Sequence, residues 1–133
     1  MRTWIARLLI GIVTAWNLQA AFVFITYPSQ FSPAFELSGF PGITAIRGFG
    51  ILFLMWNIPY IFAAWNPVKN RLSLIEALLM QFIGLLGESV IFLSTNQAHQ
   101  LLHTSILCFI MFDGAGLGLL LTAFFILRPK LST

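Results

Sequence analysis

Charge is what this chain has least of. Only 8% of its 133 residues are Asp, Glu, Lys or Arg, against 59% hydrophobic, and a soluble domain of this length needs more polar side chains to cover its surface. The expected solvent is lipid. Cysteine is nearly absent too: Cys108 stands alone inside an apolar segment, which excludes an intramolecular disulfide, a CxxC redox pair and a cysteine-rich metal site. Also missing are a nucleophile–base pair, a phosphate-binding loop and a cluster of metal ligands, so the chain reads as non-enzymatic on its own. A net charge of +3 in a soluble protein would suggest nucleic acid. Here the cations sit at segment boundaries, where they meet anionic headgroups, and nucleic acid is not expected as a partner.

What the chain does have is four long apolar segments, 4–27, 43–65, 72–94 and 101–127. About 20 residues at 1.5 Å each cross about 30 Å of hydrocarbon, so all four are long enough. Six of the seven Lys and Arg residues lie at three places, Arg2 and Arg7, Lys69 and Arg71, and Arg128 and Lys130, alternating with two connections that contain none. Translocated connections shed Lys and Arg while retained ones keep them. The pattern predicts an all-α membrane protein, one transmembrane domain over 1–133, with four helices in an up-down-up-down bundle. Both termini and the middle turn are expected in the cytoplasm of a bacterial inner membrane, and 27–42 and 95–101 outside. Trp4, Trp65 and Tyr27 fall where an aromatic belt would sit. The first segment is not read as a signal peptide, because its apolar run continues through "FVFIT" beyond the small residues Ala20 and Ala21.

The outer connection "YPSQFSPAFELSGFPG" has two readings. One helical turn near Ser32 and Pro33 can lay Phe31 and Phe35 into the headgroup region with Glu36 facing water, or the segment can cover the bundle as an ordered proline-rich connection.

Polar residues inside the segments are informative, because lipid makes each one costly unless it is paired or faces inward. Ala77, Gln81, Gly84 and Glu88 recur at helical spacing and form a small-and-polar stripe. Helical rise puts Arg47 about 6 Å and Glu88 about 10 Å below the outer boundary, within reach of an intramembrane ion pair that serves as a structural latch or a catalytic pair. The same arithmetic puts Asn17, Asn57, Gln81 and Asp113, one from each helix, in a layer about 15–21 Å deep. If they converge they form a polar clasp, a proton-relay position in which Asp113 can hold a proton, or the polar end of a pocket for a lipid-soluble ligand such as a quinone. Pro59 removes a backbone hydrogen bond from the second helix, and a kink there would open such a pocket.

His99 and His103, four apart, can share one helix face and are the only candidate metal ligands, though no third ligand accompanies them. Gly114, Gly116 and Gly118 allow close helix approach, within the bundle or to another subunit. Fourteen Phe residues leave wide apolar flanks for lipid, other transmembrane helices, or flat ligands such as a carotenoid or other pigment.

The segment "AIRGFGILFLMWNIPYIFAAWNP", followed by a polar turn and a third helix carrying Gly84 and Gly87, resembles the small four-helix DoxX-like membrane proteins. The resemblance covers the middle half of the chain and carries over Arg47, Gly48 and Gly50, as an Arg and nearby glycines at the head of the second helix. Some members of that family are tied to quinone-linked oxidoreductases, which the resemblance extends to this chain as an expectation. "WNIPY" and "FDGAG" fall outside its pattern.

The expected role is an accessory subunit of a larger bacterial electron-transfer or photosynthetic membrane complex. It would bind other transmembrane subunits and lipids and help to wall a quinone or pigment site, without a cofactor of its own. The alternatives are an oxidoreductase component or proton-conducting element using Asp113, Glu88 and Arg47, and a small oligomeric transporter.

Overall fold

The structure, a computed structural model, describes residues 1–128; residues 129–133, Lys130 among them, lie outside the described residues. Four long helices span Arg2–Thr26, Gly39–Trp65, Arg71–Ser94 and Gln100–Ile126, each long and apolar enough to cross a membrane. A helix satisfies its own backbone groups, which hydrocarbon cannot do for it. The second begins at Gly39 rather than at residue 43, because Ser38 caps it in an extended conformation and Pro41 falls in the first turn, where no hydrogen bond is lost. It continues without a break through Pro59.

Each helix packs on the one before it, and the first closes on the fourth. Contacts pair in reverse order, Arg7 with Ala64, Arg47 with Ile25 and Tyr60 with Ala77, so neighbours run antiparallel. Small residues set the spacing: Ala6, Ala63, Ala77 and Ala123 are fully buried around Ile10, Leu74 and Leu120. At Gly50 a β-carbon would stand 2.8 Å from the Ala21 carbonyl oxygen and 3.0 Å from the Ile25 nitrogen. Only glycine allows the first two helices to approach so closely. Outward, Leu8, Phe22, Met55, Ile83, Leu93 and Met111 are exposed, as a lipid-facing surface requires.

The two ends are built differently. Arg2, Arg7, Lys69, Arg71 and Arg128 gather at one end, where the Arg7 guanidinium lies 4.7 Å from the Trp4 ring while its Nε donates to Ala64 O. Arg71 and Arg128 flank the Phe124 ring at 5.5 and 5.3 Å. At the opposite end the chain leaves the first helix through two short turns, Pro28–Phe31 and the 3-10 turn Ser32–Phe35. Phe31 lies tilted against buried Phe24 at 4.9 Å, and Phe35 meets Phe24, Phe49 and Phe109 at 5.9–6.3 Å. Phe31 and Phe35 thus belong to an ordered proline-rich connection that covers the bundle, the second of the two readings. Their rings plug the mouth of the bundle, because an aromatic cluster there already surrounds Phe24.

Candidate functional site

The interior carries one connected polar chain. Tyr60 on the second helix is 3% exposed; its hydroxyl donates to Gln81 Oε1 at 2.7 Å, with the Ala77 carbonyl oxygen 3.1 Å away. Gln81 Nε2 donates in turn to Asp113 Oδ1 at 2.7 Å and approaches Asp113 O at 3.3 Å. Helical spacing produces this: Ala77, Gln81 and Gly84 share the face of the third helix that looks toward Tyr60 and the fourth helix. Two glycines make the room. A β-carbon at Gly116 would stand 2.7 Å from Gln81 Nε2, and one at Gly84 would overlap the Asp113 carboxylate.

Of the four residues expected in the polar layer, Gln81 and Asp113 meet directly, and Asn17 lies beside the Tyr60 hydroxyl. Asn57 does not join them. Its Nδ2 donates to Phe53 O of its own helix at 2.7 Å, and its Oδ1 is buried without a partner. Beside Pro59, where a pocket was expected, the Tyr60 ring enters the core. Sequence reading missed Tyr60 because "PYIF" reads as apolar. A phenolic hydroxyl five residues inside the Trp65 end of an apolar run was the available signal, since once buried it needs a partner.

The expected Arg47–Glu88 ion pair is not formed. Arg47 is exposed and its Nε donates to Ile25 O at 3.3 Å, toward the first helix, whereas Glu88 is on the third, with Oε2 buried and unpartnered and with Asp113 as its charged neighbour. Depth on the helix axis was similar; direction around the axis was not.

The single ion pair among the described residues joins His99 Nδ1 and Glu36 Oε2 at 2.5 Å. An ionised carboxylate only accepts, so Nδ1 carries the proton. Glu36 also accepts from the Leu102 backbone N–H, in the first turn of the fourth helix, where negative charge is favoured. Ser105 Oγ adds a contact of 2.5 Å to Ala34 O. These bonds hold Glu36 in the left-handed region, φ 55°, at the end of the 3-10 turn, so the outer connection is latched to the head of the fourth helix. His103 turns elsewhere, its Nε2 2.8 Å from Thr95 O. The two histidines therefore hold separate partners, and among the described residues no three metal-ligating side chains gather.

Gly114, Gly116 and Gly118 do not form one packing face. Gly116 is buried against Gln81, whereas Gly114 meets only Leu85, at 3.9 Å, and Gly118 is exposed with nothing within 4 Å of a β-carbon.

The chain matches no known family model, no curated protein and no solved structure. The likeness to DoxX-like proteins thus rests on Arg47, Gly48 and Gly50 alone; Gly50 seats the first helix, and Gly48 has open space around it.

Two predictions follow from this geometry. Tyr60→Phe leaves Gln81 Oε1 without its donor and should cost about 1–3 kcal/mol, read as a lower midpoint of thermal unfolding in detergent. Combined with Gln81→Leu it should cost less than the sum of the two single changes; additive losses would mean the side chains are not coupled. At the mouth, the His99 hydrogen bond holds the Glu36 carboxyl below its ordinary value of 4.5, against partial desolvation. A depressed folded-state pKa gives stability that is present above 4.5 and lost as pH falls through the lowered value. Unfolding curves for wild type and Glu36→Gln should differ at pH 7 and converge as pH drops below that range.

Proposed function

We propose that this protein is a small integral membrane subunit that binds other transmembrane helices and acts structurally. The carrying observation is the outward face of the fourth helix. Thr104, Cys108, Met111, Ala115, Gly118 and Thr122 recur at alternating spacings of four and three, and all are exposed. Apart from Met111 they are small, and small residues let another helix approach closely, which is the chief source of helix affinity in lipid. The interior polar groups, by contrast, are largely committed to each other. Membership in a bacterial electron-transfer or photosynthetic complex, with a quinone or pigment against the subunit, is part of the proposal and is supported by the apolar outer faces and the DoxX-like resemblance.

The sidedness belongs to the same reading: five described cations at one end against Arg47 near the other support cytoplasmic termini. In a Cys108→Ser background, single cysteines replacing Ser38 and Gln97 should react with an impermeant thiol reagent in intact cells, and one replacing Asn70 should not. Reversed labelling would overturn the orientation.

Gly118→Leu should release the subunit from stoichiometric partners in mild detergent while its own unfolding midpoint is kept, because nothing in its own fold occupies that space. Gly116→Leu should instead disrupt the bundle. Wild-type protein migrating alone would overturn the subunit reading. One observation favours a second reading, a proton-conducting element: the continuous chain from Tyr60 through Gln81 to Asp113. A proton flux in vesicles that Asp113→Asn abolishes, with assembly unchanged, would select it.

A further inference from the structure

A cleft lies at the end of the third and fourth helices remote from the Lys69–Arg71 turn. It has a volume of about 460 Å³ and is lined chiefly by Phe92, Leu93, Gln97, Gln100, His103 and Thr104. For a membrane-spanning bundle this is the boundary between hydrocarbon and headgroups. Its wall is apolar on the side of Phe92 and Leu93, and Leu93 is 83% exposed.

The polar groups in it are carboxamides, hydroxyls and one imidazole, and several are free. The carboxamides of Gln97 and Gln100 make no side-chain hydrogen bond among the described residues, so each presents a donor and an acceptor. His103 is preset: its Nε2 faces the Thr95 carbonyl, which can only accept, so Nε2 bears the proton and Nδ1 of the neutral ring is left as an acceptor. The ring is held edge-on to Phe92 at 4.8 Å. Neither Lys nor Arg lines the cleft, so a phosphate would find no cation; neither Asp nor Glu does, so an ammonium would find no anion. Of the two carboxylates toward this end, Glu36 is already engaged by His99, and Glu88, one turn deeper than Phe92 on the third helix, has its Oε2 buried and lies outside the lining.

We propose that this cleft holds the head of an interfacial lipid whose headgroup is neutral and rich in hydroxyls, a glycosyl diacylglycerol. Adjacent hydroxyls on a sugar donate and accept together, which matches a carboxamide's paired groups, while His103 Nδ1 accepts a further hydroxyl proton. The acyl chains then run over the exposed aliphatic side chains below Leu93. The inference rests on the membrane reading of the chain and is independent of any partner subunit.

The test uses purified full-length protein in bilayer discs of dioleoylphosphatidylcholine containing either monoglucosyl dioleoylglycerol or dioleoylphosphatidylglycerol, with retained lipid counted by native mass spectrometry. The glucosyl lipid should be enriched about tenfold over phosphatidylcholine, the worth of one or two net hydrogen bonds. The anionic lipid should show no enrichment in this cleft. Gln97→Ala with Gln100→Ala should abolish that preference without moving the unfolding midpoint, and His103→Phe should weaken it. Gln97→Lys, which places a cation in the cleft, should shift retention toward dioleoylphosphatidylglycerol. Excess methyl glucoside should fail to displace the lipid, whereas its displacement would identify a site for free sugar. Equal retention of all three lipids, or an unchanged preference in the double alanine and Gln97→Lys variants, would overturn the proposal.

Discussion

Gln81 is the side chain on which the interior depends. Both ends of its carboxamide are committed, Oε1 to Tyr60 on the second helix and Nε2 to Asp113 on the fourth, so sliding or rotating any of the three helices breaks a bond that hydrocarbon cannot replace. Each such bond contributes little, about 0.6 kcal/mol on average between membrane helices. Its value lies in discrimination: apolar packing in lipid barely distinguishes one register from the next, whereas a donor without its acceptor does. Gly116 and Gly84 follow from the same constraint, since each leaves the space that the amide and the carboxylate require.

The two ends of the bundle are held by unlike forces. At the cation-rich end, guanidinium groups lie against Trp4 and Phe124 and the chain turns tightly through Pro67 and Asn70, and among the described residues no ion pair forms there. The other end is closed by a folded connection, with Phe31 and Phe35 set into the cluster around Phe24 and Glu36 fastened to His99. That latch depends on protonation; the aromatic plug does not.

Glycine has opposite meanings at neighbouring positions of the fourth helix. Gly116 is occupied from inside by Gln81, and Gly118 looks outward into open space. Two residues are about 200° of helical rotation, so one serves the fold of the chain and the other is available to whatever lies beside it. The supposed glycine face is thus two features, one filled from inside and one open.

Number, approximate length and antiparallel order of the helices were legible in the sequence, as was the gathering of Arg2, Arg7, Lys69, Arg71 and Arg128 at one end. These are properties of position along the chain, set by hydrocarbon thickness, helical rise and the cost of burying charge. The match of Gln81 with Asp113 was legible for the same reason, because depth on each axis follows from counting residues. What counting does not supply is direction around the axis and the tilt between helices. Those turned Arg47 toward Ile25 and away from Glu88, returned Asn57 to its own backbone and brought in Tyr60, a residue hidden in an apolar run. Glu36 and His99 stand 63 residues apart and carry no shared local pattern. Only the tertiary structure could join them, because the contact exists solely where the folded connection crosses the head of the fourth helix.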